Sequence, residues 1–151
     1  MRKSIRIMAL ALSVFALSGS AAFAEEAPAS GQAQRVEQST TRVYYFHGNQ
    51  RCKTCKKIEA LTKKTLEEGF AAQLKDGSVE LQVVNVDETE NEHFVEDYEL
   101  AVRSVVISQL KQGKEARWRR LDKVWQLVHD EPAFTDYLRT EIAALNQGAG
   151  S

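Results

Sequence analysis

Val43-Tyr44-Tyr45-Phe46-His47-Gly48-Asn49-Gln50-Arg51-Cys52-Lys53-Thr54-Cys55 is the stretch on which the fold turns. Val43 to Phe46 is an unbroken β-branched and aromatic run, the composition of a strand buried on both faces in a partly parallel sheet. Gly48-Asn49 reads as a turn. Cys55, Ile58, Thr62 and Leu66 then recur at three-and-four spacing, with Leu61 beside them, which predicts a helix with one buried face. The two cysteines therefore stand where a strand hands over to a helix.

Working outward, Gly69 ends or bends that helix before Phe70 to Leu74. Val79, Leu81 and Val83 alternate with Glu80 and Gln82, and Val84 and Val86 extend this second strand to a stop at Asp87. Asn91 to Tyr98 reads as a short acidic helix that turns Phe94, Val95 and Tyr98 inward. Val105 to Leu110 is a third strand, Lys111-Gln112-Gly113-Lys114 a turn, and Ala116 to Leu121 a fourth strand. Arg117, Arg119 and Arg120 suit a sheet edge that must resist pairing with other chains. After Asp122 comes an apolar turn with Val124, Trp125 and Leu127. Asp130, with Pro132 in the first turn, caps a last helix that buries Phe134, Tyr137, Leu138, Ile142 and Leu145. The order β-α-β-α-β-β-α predicts an α/β fold: a four-stranded mixed sheet with helices on both faces.

Composition sets the bounds. A chain of 151 residues, 43% hydrophobic and 27% charged, makes one compact domain and excludes a multidomain enzyme, a wholly disordered chain and a multi-cysteine scaffold. Lys+Arg 20 against Asp+Glu 21 shows no basic excess, so no nucleic-acid partner is expected. Arg2, Lys3 and Arg6, the apolar run Ile7 to Leu17 and Ala22-Phe23-Ala24 read as a secretory signal peptide over 1–24. That run is short of the roughly 20 residues that cross a bilayer core, so no stable membrane insertion of the mature chain is expected. Cleavage after Ala24 removes three basic residues and no acid, and leaves a more acidic chain than the formal -1 of the whole. Residues 25–41 are small and polar and read as a disordered tether, 42–145 as the folded domain, and 146–151 as a disordered tail. Export to the periplasm places both cysteines in an oxidising compartment.

Cys52-Lys53-Thr54-Cys55 could be half of a zinc site, but a second pair is lacking. At a helix N-terminus the unpaired N–H groups and the positive end of the dipole favour a thiolate. Cys52, at the tip, gains most; Cys55 falls toward the buried face, as a resolving thiol should. As a structural staple the pair is weak, because closing a loop of about four residues restrains the unfolded chain by only roughly 2 kcal/mol. Arg51, Lys53, Lys56, Lys57, Lys63 and Lys64 crowd this region with Glu59 the one acid, whereas Asp87 to Glu99 holds seven acids and no Lys or Arg. Such runs are ordinarily solvated faces. Arg51, Lys53 and Lys56 nonetheless flank the thiols closely enough in sequence to modulate Cys52, in the direction of a lower pKa. His47 has two readings: a proton-transfer partner or third ligand beside the sulfurs, or a strand-end residue bonded to its own loop. His93 and His129 read as surface residues.

With the C-x-x-C pair opening the first helix, the β-α-β-α-β-β-α order resembles the thioredoxin fold over Thr41 to Leu145. Tyr44 to Cys55, and more loosely Lys123-Val124-Trp125-Gln126-Leu127-Val128, resemble a group of exported bacterial thioredoxin-like proteins linked to nitrophenyl compound nitroreductase subunits. The resemblance implies dithiol-disulfide exchange, with Cys52 the attacking thiol, Cys55 the resolving thiol, and no cofactor. Two departures stand out. Arg103-Ser104-Val105-Val106 has no proline where thioredoxins carry a cis-proline, and the first strand lacks their buried acid. Both point away from a general protein reductase and toward a relay serving one redox partner protein, periplasmic or membrane-bound. The alternatives are a binding module for a soft ion such as Cu(I), held by both thiolates with or without His47, and a non-catalytic thioredoxin-like adaptor.

Overall fold

A computed structural model of the chain describes residues 39–148. The expectations for the signal peptide, for the tether up to residue 38 and for residues 149–151 lie outside the described residues. Strand β1 (Ser39–His47) pairs in parallel with β2 (Val79–Asn85) and antiparallel with β3 (Val105–Lys111), which pairs antiparallel with β4 (Lys114–Arg120). The sheet order is β2-β1-β3-β4. β1 is therefore central, and the Val43–Phe46 run is covered on both faces, as its composition requires.

Helices α1 (Lys53–Gly69) and α2 (Ala71–Asp76) cross from β1 to β2. A 3-10 turn at Thr89–Asn91 and helix α3 (His93–Asp97) lead from β2 to β3, and α4 (Val124–Leu127) and α5 (Glu131–Gln147) follow β4. Val43, Tyr45, Val105 and Ile107 of the sheet pack with Ile58, Leu61 and Leu66 of α1 and with Phe134, Leu138, Ile142 and Leu145 of α5. On the opposite face Tyr44, Phe46 and Val106 pack with Val86, Tyr98 and Leu100, joined by Phe94 and Val95 of α3 and Trp118 of β4. This is a thioredoxin-like α/β fold: a four-stranded mixed sheet between helices.

Several boundaries shift. β1 begins at Ser39, so Ser39 to Thr41, read as the end of a tether, are sheet: Thr41 pairs with Val79 and Gln109 and is 3% exposed. α5 runs to Gln147, two residues past the expected end of the domain, because the Asn146 Oδ1 accepts bonds from the Thr41 hydroxyl at 2.8 Å and the Gln109 amide at 3.2 Å. These partners are remote in sequence, so local composition could not reveal them. The acidic helix is split into the 3-10 turn and α3. β4 starts at Lys114, and the shift of pairing between Gln109 and Leu110 absorbs an extra residue as a bulge.

Candidate functional site

β1 ends at His47, and the Gly48–Arg51 loop carries the chain to α1, whose N-cap is Cys52. Gly48 permits a close approach: a Cβ there would stand 2.6 Å from Asp87 Oδ2, so any larger residue would have to displace the Asp87 carboxylate. Asp87, just after β2, holds the loop by accepting from the Asn49 backbone N–H at 2.8 Å. It is held in turn by Arg103, whose Nη2 donates to Asp87 Oδ1 at 2.5 Å. The Asn49 backbone bond first, and then Arg103, hold the Asp87 carboxyl below the usual carboxylate range. Trp125 Nε1 donates to the Arg103 carbonyl at 2.8 Å, which ties α4 to the same frame.

A disulfide joins Cys52 and Cys55, with their Cα atoms 5.1 Å apart. Cys52 is exposed, and Cys55 is half-buried one turn into α1. The Cys55 backbone N–H donates to Cys52 Sγ at 3.0 Å, so the outer sulfur serves as the acceptor that caps the helix. An N-cap acceptor faces the positive end of the helix dipole, which favours negative charge on that sulfur when the bond opens. The geometry thus separates an accessible sulfur from a shielded one, the division of labour that exchange through a mixed disulfide requires.

Beneath the pair lies a polar layer. Tyr45, 1% exposed, donates its hydroxyl to the Cys55 carbonyl at 2.6 Å. Burial pushes the Tyr45 phenol up, and the charge and hydrogen bond of Arg51 oppose that shift. Arg51 also forms an ion pair with Glu59, which takes Lys63 as well at 2.6 Å. Lys53, Lys56 and Lys57 are exposed and have no ionic partner among the described residues.

The residues expected from the sequence are distributed as follows. Cys52 and Cys55 are joined, Arg51 lies against Tyr45 and Glu59, and Lys53 occupies the first position of α1. His47 Nδ1–H donates to the Gly48 carbonyl at 3.1 Å, and its ring stacks on Tyr45 with centroids 6.2 Å apart. Among the described residues no three His, Cys, Asp or Glu side chains converge as a metal site. His93 bonds Asp97 on an exposed turn, and His129 is exposed. Three contributors were missed: Tyr45 as a hydroxyl donor, Glu59 as the Arg51 partner, and Asp87 as the loop anchor. Tyr45 carried a signal, because a tyrosine inside a fully apolar strand needs a partner for its hydroxyl.

No family model matches the chain, and no curated protein matches it. Among solved structures, it is similar to a thioredoxin from Trypanosoma brucei brucei (20% identity, 69% of this chain and 76% of that chain, TM-score 0.40). It is likewise similar to Fasciola hepatica thioredoxin, at 21% identity over 65% of this chain and 81% of that one, with a TM-score of 0.38. A third similar structure is thioredoxin O2 from Arabidopsis thaliana in the oxidised state, at 19% identity over 58% of this chain and 69% of that one, TM-score 0.39.

Proposed function

We propose that the chain is an exported thiol-disulfide redox protein that relays electrons between the Cys52–Cys55 pair and one dedicated protein partner, in the periplasm or at its membrane. The observation that carries this reading is the exposed Cys52 sulfur at the N-cap of α1, joined to a half-buried Cys55. In the reducing direction the Cys52 thiolate attacks one sulfur of the partner disulfide. A bond forms from Cys52 to that sulfur, the partner S–S bond breaks, and the electron pair leaves on the second partner sulfur, which takes a proton. Cys55 then displaces the first partner sulfur and closes the Cys52–Cys55 disulfide. The oxidising direction is the reverse. Lys53, Lys56 and Lys57, exposed around the opening sulfur and without an ionic partner among the described residues, favour a partner whose disulfide is flanked by acidic side chains.

The test is equilibration of the purified protein with dithiol/disulfide buffers, followed by trapping of partners from periplasmic extract with Cys55→Ala. A defined two-electron reduction potential and a mixed disulfide through Cys52 are expected. A disulfide inert to ordinary dithiols, or undiminished exchange by Cys52→Ser, would overturn the proposal.

A further inference from the structure

Arg51 leaves the loop just before Cys52, yet its guanidinium does not extend into solvent. Its side chain is 29% exposed and pairs with Glu59, 14% exposed, two turns along α1. Glu59 lies four residues after Cys55, on the same face of the helix. The guanidinium also interacts with the Tyr45 hydroxyl, which itself bonds the Cys55 carbonyl. The ion pair with Glu59 on α1, together with the charge that Arg51 exerts on the Tyr45 phenol from β1, sets a cation beside the first turn on the Cys55 side. Among the described residues the buried Arg51 Nε–H has no acceptor in the disulfide form, and Nη2, also buried, meets Glu59 as an ion pair without hydrogen-bond geometry. One carboxylate, Glu59, is shared between two cations, Arg51 and Lys63, so the layer keeps a positive excess.

We propose that Arg51, held by Glu59 and Tyr45, stabilises the thiolate of Cys55 in the step that resolves the mixed disulfide. This deepens, and rests on, the thiol-exchange reading above. In that step the Cys55 thiol gives up its proton and its sulfur attacks Cys52 Sγ. The Cys52–Cys55 bond forms, the bond from Cys52 to the partner sulfur breaks, and the partner leaves as a thiolate that takes up a proton. The step needs negative charge on a half-buried sulfur. A guanidinium lodged there offsets the cost of placing it out of water. The other groups facing this region are accounted for. β1 supplies Tyr45 and His47, the latter bonded to Gly48; α1 supplies Glu59, the paired Lys63 and the exposed Lys53, Lys56 and Lys57. α4 has no titratable side chain, Glu131 of α5 is engaged by Lys64, and Asp87 is taken by Asn49 and Arg103.

The experiment uses the reduced full-length chain and an aromatic disulfide whose released thiolate is coloured, followed by stopped flow across pH. Cys52 releases one equivalent on attack, and Cys55 releases the second on resolution. Arg51→Gln should raise the pH midpoint of the second phase by about one unit. Below both midpoints the loss in rate should be only about threefold, because a more basic thiolate is also a better nucleophile. Glu59→Gln keeps an acceptor for the guanidinium but removes the opposing charge, so its midpoint should fall. A merely structural disturbance would not move the two midpoints in opposite directions. Midpoints that stay fixed, or that move together, overturn the assignment while leaving the redox reading intact. Release of fewer than two equivalents by the unaltered protein sinks the redox reading itself. Should Arg51→Gln fail to fold, Glu59→Gln decides alone: a fall supports the assignment, and no change or a rise overturns it.

Discussion

At the scale of single residues, the loop that presents Cys52 depends on Asp87 more than on any group inside the loop. Its carboxylate accepts from Asn49 on one side and Arg103 on the other, and a side chain at position 48 would have to displace it. Because the folded-state pKa of Asp87 is depressed, chiefly by the Asn49 backbone bond, its contribution is fully present above the unfolded value of about 3.9 and is lost as pH falls through the lower folded value. Acid should therefore loosen the Gly48–Arg51 loop before the core yields. Asp87→Asn should remove that part of the acid dependence, as read from stability or from hydrogen exchange at Asn49 between pH 5 and 2. An acid limb identical in the two proteins would show that Asp87 does not hold the loop. The cysteine pair and its flanking Arg51 and Lys53 were legible in the sequence, since strand, turn and helix signals converge on them. The Asp87 anchor was not, because it joins residues 38 positions apart. Glu59 was likewise hidden: as the one acid in a basic run it reads as surface, and only the folding-back of Arg51 buries it.

At the scale of elements, the β3–β4 hairpin turns through Gln112 and Gly113, both at positive φ (53° and 76°), which is the geometry of a two-residue type I′ turn. Glycine meets this without strain, but glutamine adopts it at a cost that asparagine would lessen. Gln112→Asn should raise stability by roughly 0.5 kcal/mol, measured by urea unfolding, with exchange kinetics at the cysteines unchanged. A neutral or destabilising result would mean that the turn is shaped by the register of the strands alone. The Lys-Gln-Gly-Lys sequence announced this turn, just as alternation announced β2 and the arginines announced β4 as an edge. Element order followed from periodicity, but element ends did not. Ser39 to Thr41 look like tether, and they join the sheet because β2 and β3 supply hydrogen-bond partners from far along the chain. The break at Gly69–Phe70 was visible as a glycine within a helical pattern, although its outcome, two helices separated by one residue, was decided by packing of Phe70 and Leu74 on the core.

At the scale of the whole molecule, redox state and stability are linked by a thermodynamic cycle. The difference in unfolding free energy between the oxidised and reduced protein equals the difference in the free energy of closing Cys52–Cys55 in the folded and unfolded chain. Loop closure alone, across so short a separation, makes the oxidised form more stable by roughly 2 kcal/mol. Against this act the capping of Cys52 by the Cys55 N–H, the helix dipole and the proposed cation at Arg51, all of which favour thiolates in the folded state. The core is built without either cysteine: Ile58, Leu61 and Leu66 anchor α1 to the sheet and to α5 whether or not the disulfide is closed. The reduced chain should therefore stay fully folded at pH 7. Its stability should lie within about 2 kcal/mol of the oxidised chain, or exceed it, when urea curves are compared with and without a dithiol. Arg51→Gln should widen the difference in favour of the oxidised form, because it removes a cation that favours the thiolate of the reduced form, whereas the contacts of Arg51 with Glu59 and Tyr45 are already present in the oxidised form. A reduced protein that unfolds outright would make the pair a staple instead of a redox couple. A gap well above the loop-closure value would mean that the surroundings of the sulfurs favour the closed bond, and the protein would then act as a reductant toward its partner.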